Sequence, residues 1–364
     1  MKKNAETGLN ARAKRKGCGV LARTLAAAGL SLAIGAAFAD PVTVPNGDFS
    51  DPGNTGTVGG GLLGGSGVNA LIGNGPWRGT YWGIADLLAP PSLAINHNTQ
   101  TATIGGIAGV NLLGLVNNGG YFTQTLAQNW ELGRFYVLSA DVDAGELLNL
   151  DLLGDSGVGI AFRSGNDVLA SSTSALGHLL DLDLVGSDMY RVRLGYFADL
   201  NATGPINIKM GYEPQGVASV DLLSDVTFRN VGLEVRDIGD PAAFEILTHG
   251  DLLQAEVGQP FSGNLIVLVR DDDGDGVPGY TVTFTAPTTG ASAVLTSPTG
   301  GTGTTVTAVT DIDGLAMVSA QANSEAGCYR VTVEGVGIPE VATFYLRNYS
   351  NAPGVNSIFC NGYQ

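Results

Sequence analysis

The stretch "VRDDDGDGVPGYTVTF", Val269–Phe284, sets the pattern from which the fold is predicted. Apolar and polar residues alternate before and after a turn that is rich in Asp and Gly, and this alternation predicts two β-strands. Similar stretches recur along the chain, among them "RFYVLSADVD", "YRVRLGYFAD", "INIKMGYE", "TTVTAVTD" and "YRVTVEGV". No stretch reads as a long amphipathic helix. Many short strands at regular spacing are typical of β-sandwiches, so we predict an all-β protein.

The acidic turn leaves two interpretations open. Asp271, Asp273 and Asp275, followed by Gly276, match the first half of an EF-hand calcium loop. The twelfth position of such a loop is a bidentate Glu, but here it is Val282. The turn is therefore not an EF-hand. It is either a solvated turn shaped by its glycines or a weak calcium site formed by Asp271, Asp273 and Asp275. No other cofactor is expected.

The charge limits the kinds of partner that are expected, and the leader sequence predicts export. The net charge of −16 argues against binding to nucleic acid or to anionic membranes. A basic leader is followed by an apolar run, Leu25–Ala39, that ends in small residues, as in a signal peptide. The run is shorter than the roughly 20 residues of a membrane span. We expect cleavage after residue 39, secretion or surface display, no membrane insertion, and a disulfide between Cys328 and Cys360.

The length beyond residue 39 suits two domains. We predict a first sandwich over residues 40–237, a linker over 238–243, a second sandwich over 244–349, and a C-terminal tail over 350–364.

The second part resembles the bacterial Ig-like domains of the intimin/invasin group. The matching motifs are "VLVRDDDGDGVPGYTVTF", "TDIDGLAMVSAQA", "AGCYRVTVEG" and "ATFYLRN", in the order of that family. The resemblance implies a spacer or adhesive module and no catalysis.

The first part is similar, through fewer residues, to carbohydrate-binding, galactose-binding-like jelly-roll modules. The motifs are "VPNGDFSDP", "GPWRGTYWG", "GGYFTQTL" and "GRFYVLSADVD". The resemblance implies that this domain binds a glycan or another cell-surface ligand.

Aromatic and basic side chains are the candidate ligand-binding residues, because sugar sites combine aromatic faces with hydrogen-bonding groups. The aromatic candidates are Trp77, Tyr81, Trp82 and Trp130, with Tyr121 nearby in sequence. Tyr81 and Trp82 are adjacent, so in a strand they point to opposite faces.

The basic candidates are Arg191, Arg193 and Lys209. Each alternates with apolar residues, so each is expected on an outer face. The segment "ADLNATGP" reads as a hairpin connection that would bring the three side chains into one patch. That patch is either a ligand face or a solvated face whose basic groups pair with nearby acids.

Enzymatic activity is the competing class. "GDSGVG" departs from the serine-protease motif at Val158, and no His/Cys cluster has zinc-site spacing. A glycosidase with paired carboxylates stays open, although no pair stands out. We predict a secreted, non-catalytic protein that binds a glycan or cell-surface ligand. The alternatives are a structural or adhesive surface protein that binds no sugar and, third, a polysaccharide hydrolase.

Overall fold

The computed structural model describes ten stretches of the chain. They are residues 40–60, 66–83, 91–110, 118–143, 157–173, 179–185, 189–212, 220–249, 253–298 and 301–350; the side chains of 40, 107–110, 179, 182–184 and 220–224 are not among them. All belong to one compact unit, Ala36–Gln364. The expected signal peptide and Cys360 lie outside the described residues, so export and the Cys328–Cys360 bond stay predictions. Among the described residues, no helix is long and apolar enough to cross a membrane.

The described elements are strands apart from one 3-10 turn at Pro52–Asn54. The strands of the first part are β1 (Asp40–Val42), β2 (Gly56–Gly59), β3 (Gly67–Leu71), β4 (Arg78–Trp82), β5 (Ser92–Asn96), β6 (Thr101–Val110), β7 (Gly119–Asn129), β8 (Phe135–Asp143), β9 (Val158–Ser164), β10 (Asp167–Ser171), β11 (Leu179–Leu184), β12 (Tyr190–Phe197), β13 (Pro205–Tyr212) and β14 (Val220–Arg236). Those of the second part are β15 (Pro241–Ile246), β16 (Gln254–Glu256), β17 (Leu265–Asp271), β18 (Thr281–Thr285), β19 (Ala293–Thr296), β20 (Thr302–Gly303), β21 (Thr305–Val309), β22 (Leu315–Ala322), β23 (Gly327–Gly335) and β24 (Ala342–Tyr349). The predicted all-β class is confirmed.

The first part forms two antiparallel sheets around one core. An eight-stranded sheet has the order β11-β12-β8-β14-β6-β5-β2, with β1 paired to β14. A six-stranded sheet has the order β10-β9-β13-β7-β4-β3. Alternating residues of both sheets point inward, and the core they form includes Phe122, Phe162 and Phe228, all fully buried. This is the sandwich arrangement that alternation predicts.

The predicted hairpin between β12 and β13 is wrong. The two strands belong to different sheets, so residues 198–204 cross from the eight-stranded to the six-stranded sheet. Hydrogen bonds to the neighbouring β7–β8 connection hold this crossing: the Gly133 amide donates to Ala198 O at 2.9 Å and the Trp130 amide to Gly204 O at 3.1 Å. Both connections bridge the sandwich at the same place.

The second part also forms two sheets around a core of its own. Their orders are β15-β17-β22-β19-β20 and β16-β24-β23-β18-β21. Phe284 and Phe344, on two strands of the second of these sheets, stack within the core with ring centroids 6.3 Å apart. Pro241, expected in the linker, is the first residue of β15.

A small junction joins the two parts. Ile312, in the turn before β22, is fully buried against Phe135 and Val137 of β8. Beside it, Arg193 of β12 donates to both carboxylate oxygens of Asp313, at 2.7 and 2.8 Å. Arg236 donates to Ile312 O at 3.2 Å. The junction therefore combines an apolar contact with charge-assisted hydrogen bonds.

Candidate functional site

The acidic turn is organised around Asp271, which is almost fully buried. One of its carboxylate oxygens accepts hydrogen bonds from the amides of Asp273, at 3.1 Å, and Asp275, at 2.8 Å. The other accepts from the Gly239 amide at 2.9 Å. The carboxylate thus satisfies three backbone donors, which is the role of Asp in a turn.

These three hydrogen bonds use lone pairs on both Asp271 oxygens, so fewer lone pairs are left to bind a cation. Burial raises the pKa of Asp275, and the charges of Asp271 and Asp273 raise it further. Within the described residues, no group of three or more His, Cys, Asp or Glu is arranged to hold a metal ion. The geometry favours the turn interpretation, and the weak calcium site stays a prediction.

Two of the four aromatic candidates lie in the core of the first part. Trp77 is fully buried; its Nε1 donates to Asn46 O at 3.0 Å. Trp130 is 8% exposed and packs edge-on against Tyr136, with ring centroids 4.7 Å apart. The prediction that Trp77 and Trp130 bind ligand is therefore wrong, because neither ring presents a face to solvent.

Tyr81 and Trp82 point to opposite faces of β4. Tyr81 is partly buried against the first core. Trp82 points away from the core, where its ring lies 6.1 Å from that of Tyr121 in an edge-on arrangement. Of the aromatic candidates, Trp82 is the one whose ring belongs to the outer face of the six-stranded sheet.

The basic candidates do not form one patch. Arg191 and Arg193 lie on the eight-stranded sheet, whereas Lys209 lies on the six-stranded sheet. Arg191 makes a bidentate ion pair with Asp141, in which Nε and Nη2 donate to the two carboxylate oxygens at 2.7 and 3.0 Å. Asp141 is 3% exposed and also accepts from Asn230.

Arg193 is held at the junction by its hydrogen bonds to Asp313. Its hydrogen bonds to Asp313 raise its pKa against the opposing effect of burial. It also donates to Asp181 at 3.1 Å. Arg191 and Arg193 are therefore paired with acids, and the prediction that they form a ligand patch with Lys209 is wrong.

The outer face of the six-stranded sheet is where the remaining candidates meet. We call this surface the outer face; it comprises Arg78, Thr80, Trp82, Tyr121, Thr123, Gly159, Ala161, Arg163, Asn207, Lys209 and Gly211. Trp82 lies opposite Gly119 in the β4–β7 register, and a Cβ on Gly119 would collide with the indole. The glycine therefore lets the indole lie across the sheet.

A lysine lies next to the two aromatic rings of the outer face. Lys209 Nζ lies 4.2 Å from the centroid of the Tyr121 ring, a cation–π distance. Trp82, Tyr121 and Lys209 thus follow one another across β4, β7 and β13. We call them the aromatic–lysine row.

Lys209 of this row also lines a small, shallow depression that is open to solvent. Gly159, Ala161 and Gly211 form its floor, and Ser171 and Thr173 stand at its side. A Cβ on Gly211 would collide with Tyr121, and one on Gly159 with Ser172. The glycines thus keep the floor low beside side chains that carry hydroxyl groups.

Sequence reasoning found Trp82 and Lys209 but missed most of this surface. It counted Tyr121 among the aromatic residues of the first domain but did not place it beside Lys209, although Gly119 and Tyr121 alternate in β7 as Lys209 and Gly211 do in β13. The glycines could have been recognised as a sign of a flat surface, because Gly in a strand often marks close approach by another group. Which strands are neighbours was not readable from the alternation.

Comparisons with known proteins show no family for the chain. No family model matches it, and no curated protein does. Among solved structures, the adhesin domain of Epf from Streptococcus pyogenes is 12% identical with a TM-score of 0.26, over 88% of this chain and 99% of that one.

Two further structures are similar in the same limited way. The adhesin InvE of Yersinia pseudotuberculosis is 15% identical with a TM-score of 0.23, over 54% of this chain and 56% of its own. The BSP domain of a biofilm associated protein is 12% identical with a TM-score of 0.18, over 72% of this chain and 57% of its own. At such low TM-scores, the likeness assigns no function to this chain.

Proposed function

We propose that this protein is an exported, non-catalytic binding protein whose first sandwich binds a glycan on the outer face. The second sandwich then acts as a spacer or adhesive module. The observation that carries the proposal is the indole of Trp82 lying across Gly119 beside Tyr121.

The chemistry of the surface suits a sugar. Pyranose rings present apolar C–H faces that pack on aromatic rings, while their hydroxyls need hydrogen-bonding partners. Trp82 and Tyr121 offer the rings. Lys209 donates hydrogen bonds, and the hydroxyls of Ser171 and Thr173 both donate and accept them.

The charges of the outer face support binding rather than hydrolysis. A glycosidase of the usual kind needs two carboxyl groups on either side of the scissile bond. In the described strands of the six-stranded sheet, the one acid is Asp167, which lies at the β9–β10 turn opposite Ser164. No described carboxylate of these strands points out beside the aromatic–lysine row.

The test is a glycan array probed with the full exported chain. We expect binding to at least one glycan, and Trp82→Ala and Tyr121→Ala should each weaken it about tenfold or more, because each removes a stacking surface. The matched control is Tyr345→Ala, which removes a half-exposed tyrosine that also lies near a cation, Arg330, in the second sandwich.

The control should bind as the parent does, and circular dichroism should show that all variants are folded. A blank array together with attachment of the protein to cells would favour an adhesive protein that binds no sugar. Hydrolysis of a bound glycan would overturn the non-catalytic assignment.

A further inference from the structure

The outer face differs in charge from the rest of the molecule. The chain has 34 acidic and 18 basic residues. The strands of the six-stranded sheet nevertheless direct three basic side chains outward, Arg78, Arg163 and Lys209, and no acidic one. In a protein with so many carboxylates, a face that carries only positive side chains in its strands points to an anionic ligand.

The register places these cations close together. Arg78 and Lys209 both lie opposite Thr123 of β7, on its two sides. Two strand spacings separate them, which puts their Cα atoms about 10 Å apart. Arg163 lies opposite Asn207, two residues along β13 from Lys209. The three cations therefore lie on the same side of Tyr121, around Thr123 and Asn207, and Lys209 also lines the depression.

Within the described residues, the two arginines lack the carboxylate partners that five other arginines have. Ion pairs hold other guanidinium groups to carboxylates, as in Arg134, Arg191, Arg193, Arg236 and Arg270. Arg78 instead contacts the carbonyl of Asn69 at 3.5 Å, and Arg163 that of Asn166 at 2.9 Å.

Neither Arg78 nor Arg163 makes an ion pair within the part of the chain that the structure describes. Arg78 is exposed and Arg163 is partly exposed, so both side chains reach solvent.

We infer that the glycan bound on the outer face is acidic, with carboxylate or sulfate groups on its sugars. This inference rests on the proposed function. The planar guanidinium groups of Arg78 and Arg163 match the paired oxygens of such groups, and Lys209 adds a third charge next to the stacking rings. The net negative charge of the whole protein opposes binding of polyanions elsewhere on its surface.

The experiment compares two matched pairs of polysaccharides with the full chain. One pair is polygalacturonate and its fully methyl-esterified form; the other is dextran sulfate and dextran. We expect the protein to bind at least one acidic member and to bind its neutral counterpart at least about tenfold more weakly. Binding in the first pair identifies a carboxylate ligand, and binding in the second a sulfate ligand.

The variant Arg78→Gln with Arg163→Gln should lose about tenfold in affinity for the acidic polymer. The matched control, Arg330→Gln with Arg347→Gln, removes two positive charges from the second sandwich and should bind as the parent does. Equal loss in both double variants would show a general charge effect and overturn the inference.

The outcomes separate this inference from the proposed function. If neutral and acidic members bind equally, with loss on Trp82→Ala, the glycan site stands and the acidic ligand is wrong. If none of the four polymers binds and the glycan array is blank, both are wrong. If the array shows binding to neutral glycans alone, the acidic ligand is again wrong.

Discussion

A single carboxylate accounts for the shape of the acidic turn. Asp271 accepts three amide hydrogen bonds while Asp273, two residues on, is exposed. We expect Asp271→Ala to lower the free energy of unfolding by about 2 kcal/mol, because it leaves amides without acceptors. Asp273→Ala is the control and should change stability little. Chemical denaturation of both variants checks this, and equal effects would contradict it.

The same variants test the calcium prediction. A site lacking the terminal Glu should bind no more tightly than roughly 1 mM, which gives about 1 kcal/mol of stabilisation at several millimolar calcium. The melting temperature of the parent should therefore rise only slightly, if at all, when calcium is added. A melting temperature that saturates at micromolar calcium, and no longer does so in Asp273→Ala, would establish a real site.

Asp311 is the residue for which pH dependence is expected. Burial raises its pKa to about 6, against hydrogen bonds from the amides of Leu315 and Asp313 that lower it. A raised pKa means that the folded state holds the proton more tightly than the unfolded chain. The stability that it contributes is present below about pH 4 and is lost as pH rises through 6.

We expect Asp311→Asn to raise the free energy of unfolding at pH 8 by up to about 3 kcal/mol, and to change it little at pH 4. Asp313→Asn should instead lower the free energy of unfolding at pH 8. Its hydrogen bonds with Arg193 lower the Asp313 pKa, so that carboxylate stabilises the fold at neutral pH. Denaturation at both pH values measures the two differences, and a destabilised Asp311→Asn at pH 8 would show that its charge is needed.

The sequence predicted correctly which face of a strand a side chain occupies, because alternation determines this. It did not predict which tryptophans are buried. The adjacency of Tyr81 and Trp82 was enough to send them to opposite faces. Trp77 directly precedes β4 and Trp82 is its last residue, and no local pattern shows which of the two rings is buried. Trp77 is buried since the chain packs Phe49 against it, with ring centroids 5.6 Å apart, and that contact joins residues distant in sequence.

Among the elements, β4 and β7 depend on each other through Trp82 and Gly119. An added Cβ on Gly119 would collide with the indole, which is the outer end of a side chain that can change rotamer, rather than backbone. We expect Gly119→Ala to fold but to displace the indole from the sheet. Acrylamide quenching of tryptophan fluorescence should then increase, because Trp77 and Trp130 are buried and Trp82 responds most.

Gly133→Ala is a suitable control for this measurement, because a Cβ there meets no atom within 4 Å, although its φ of +80° adds backbone strain. Quenching should not change in that variant. Unchanged quenching in Gly119→Ala would mean that the indole does not lie where the structure places it.

The elements themselves were largely predictable, but their pairing was not. Strong alternation identified β8, β12, β13 and β17, and each is a strand. The connection over 198–204 has a length that suits either a hairpin or a crossing between sheets. Its hydrogen bonds to the β7–β8 connection decide in favour of the crossing, and they join segments about 70 residues apart. For that reason the arginines and Lys209 were wrongly placed together.

At the scale of the molecule, Asp313 connects the two sandwiches. It accepts from Arg193 and lies 3.5 Å from Arg236. We expect a double-mutant cycle of Arg193→Ala and Asp313→Ala to give a coupling energy of about 1 kcal/mol, reduced by solvent because the Asp313 side chain is 39% exposed.

Calorimetry should also show the parent unfolding in one transition and Asp313→Ala approaching two. An additive cycle would mean that the ion pair contributes no stability. The charge-matched control is Asp237→Ala, which removes the exposed ion-pair partner of Arg134.

The burial of Ile312 affects how the protein would behave after proteolysis. It comes from one sandwich, yet Phe135 and Val137, which bury it, come from the other. A protease that cut between the sandwiches would leave an uncovered apolar spot on each fragment. We expect such fragments to bind a hydrophobic dye and to scatter light, whereas the intact chain would do neither. A released first sandwich would then aggregate and compete poorly with the intact protein for the ligand. Cleavage would lower the solubility of the protein even where the affinity of the binding face is unchanged.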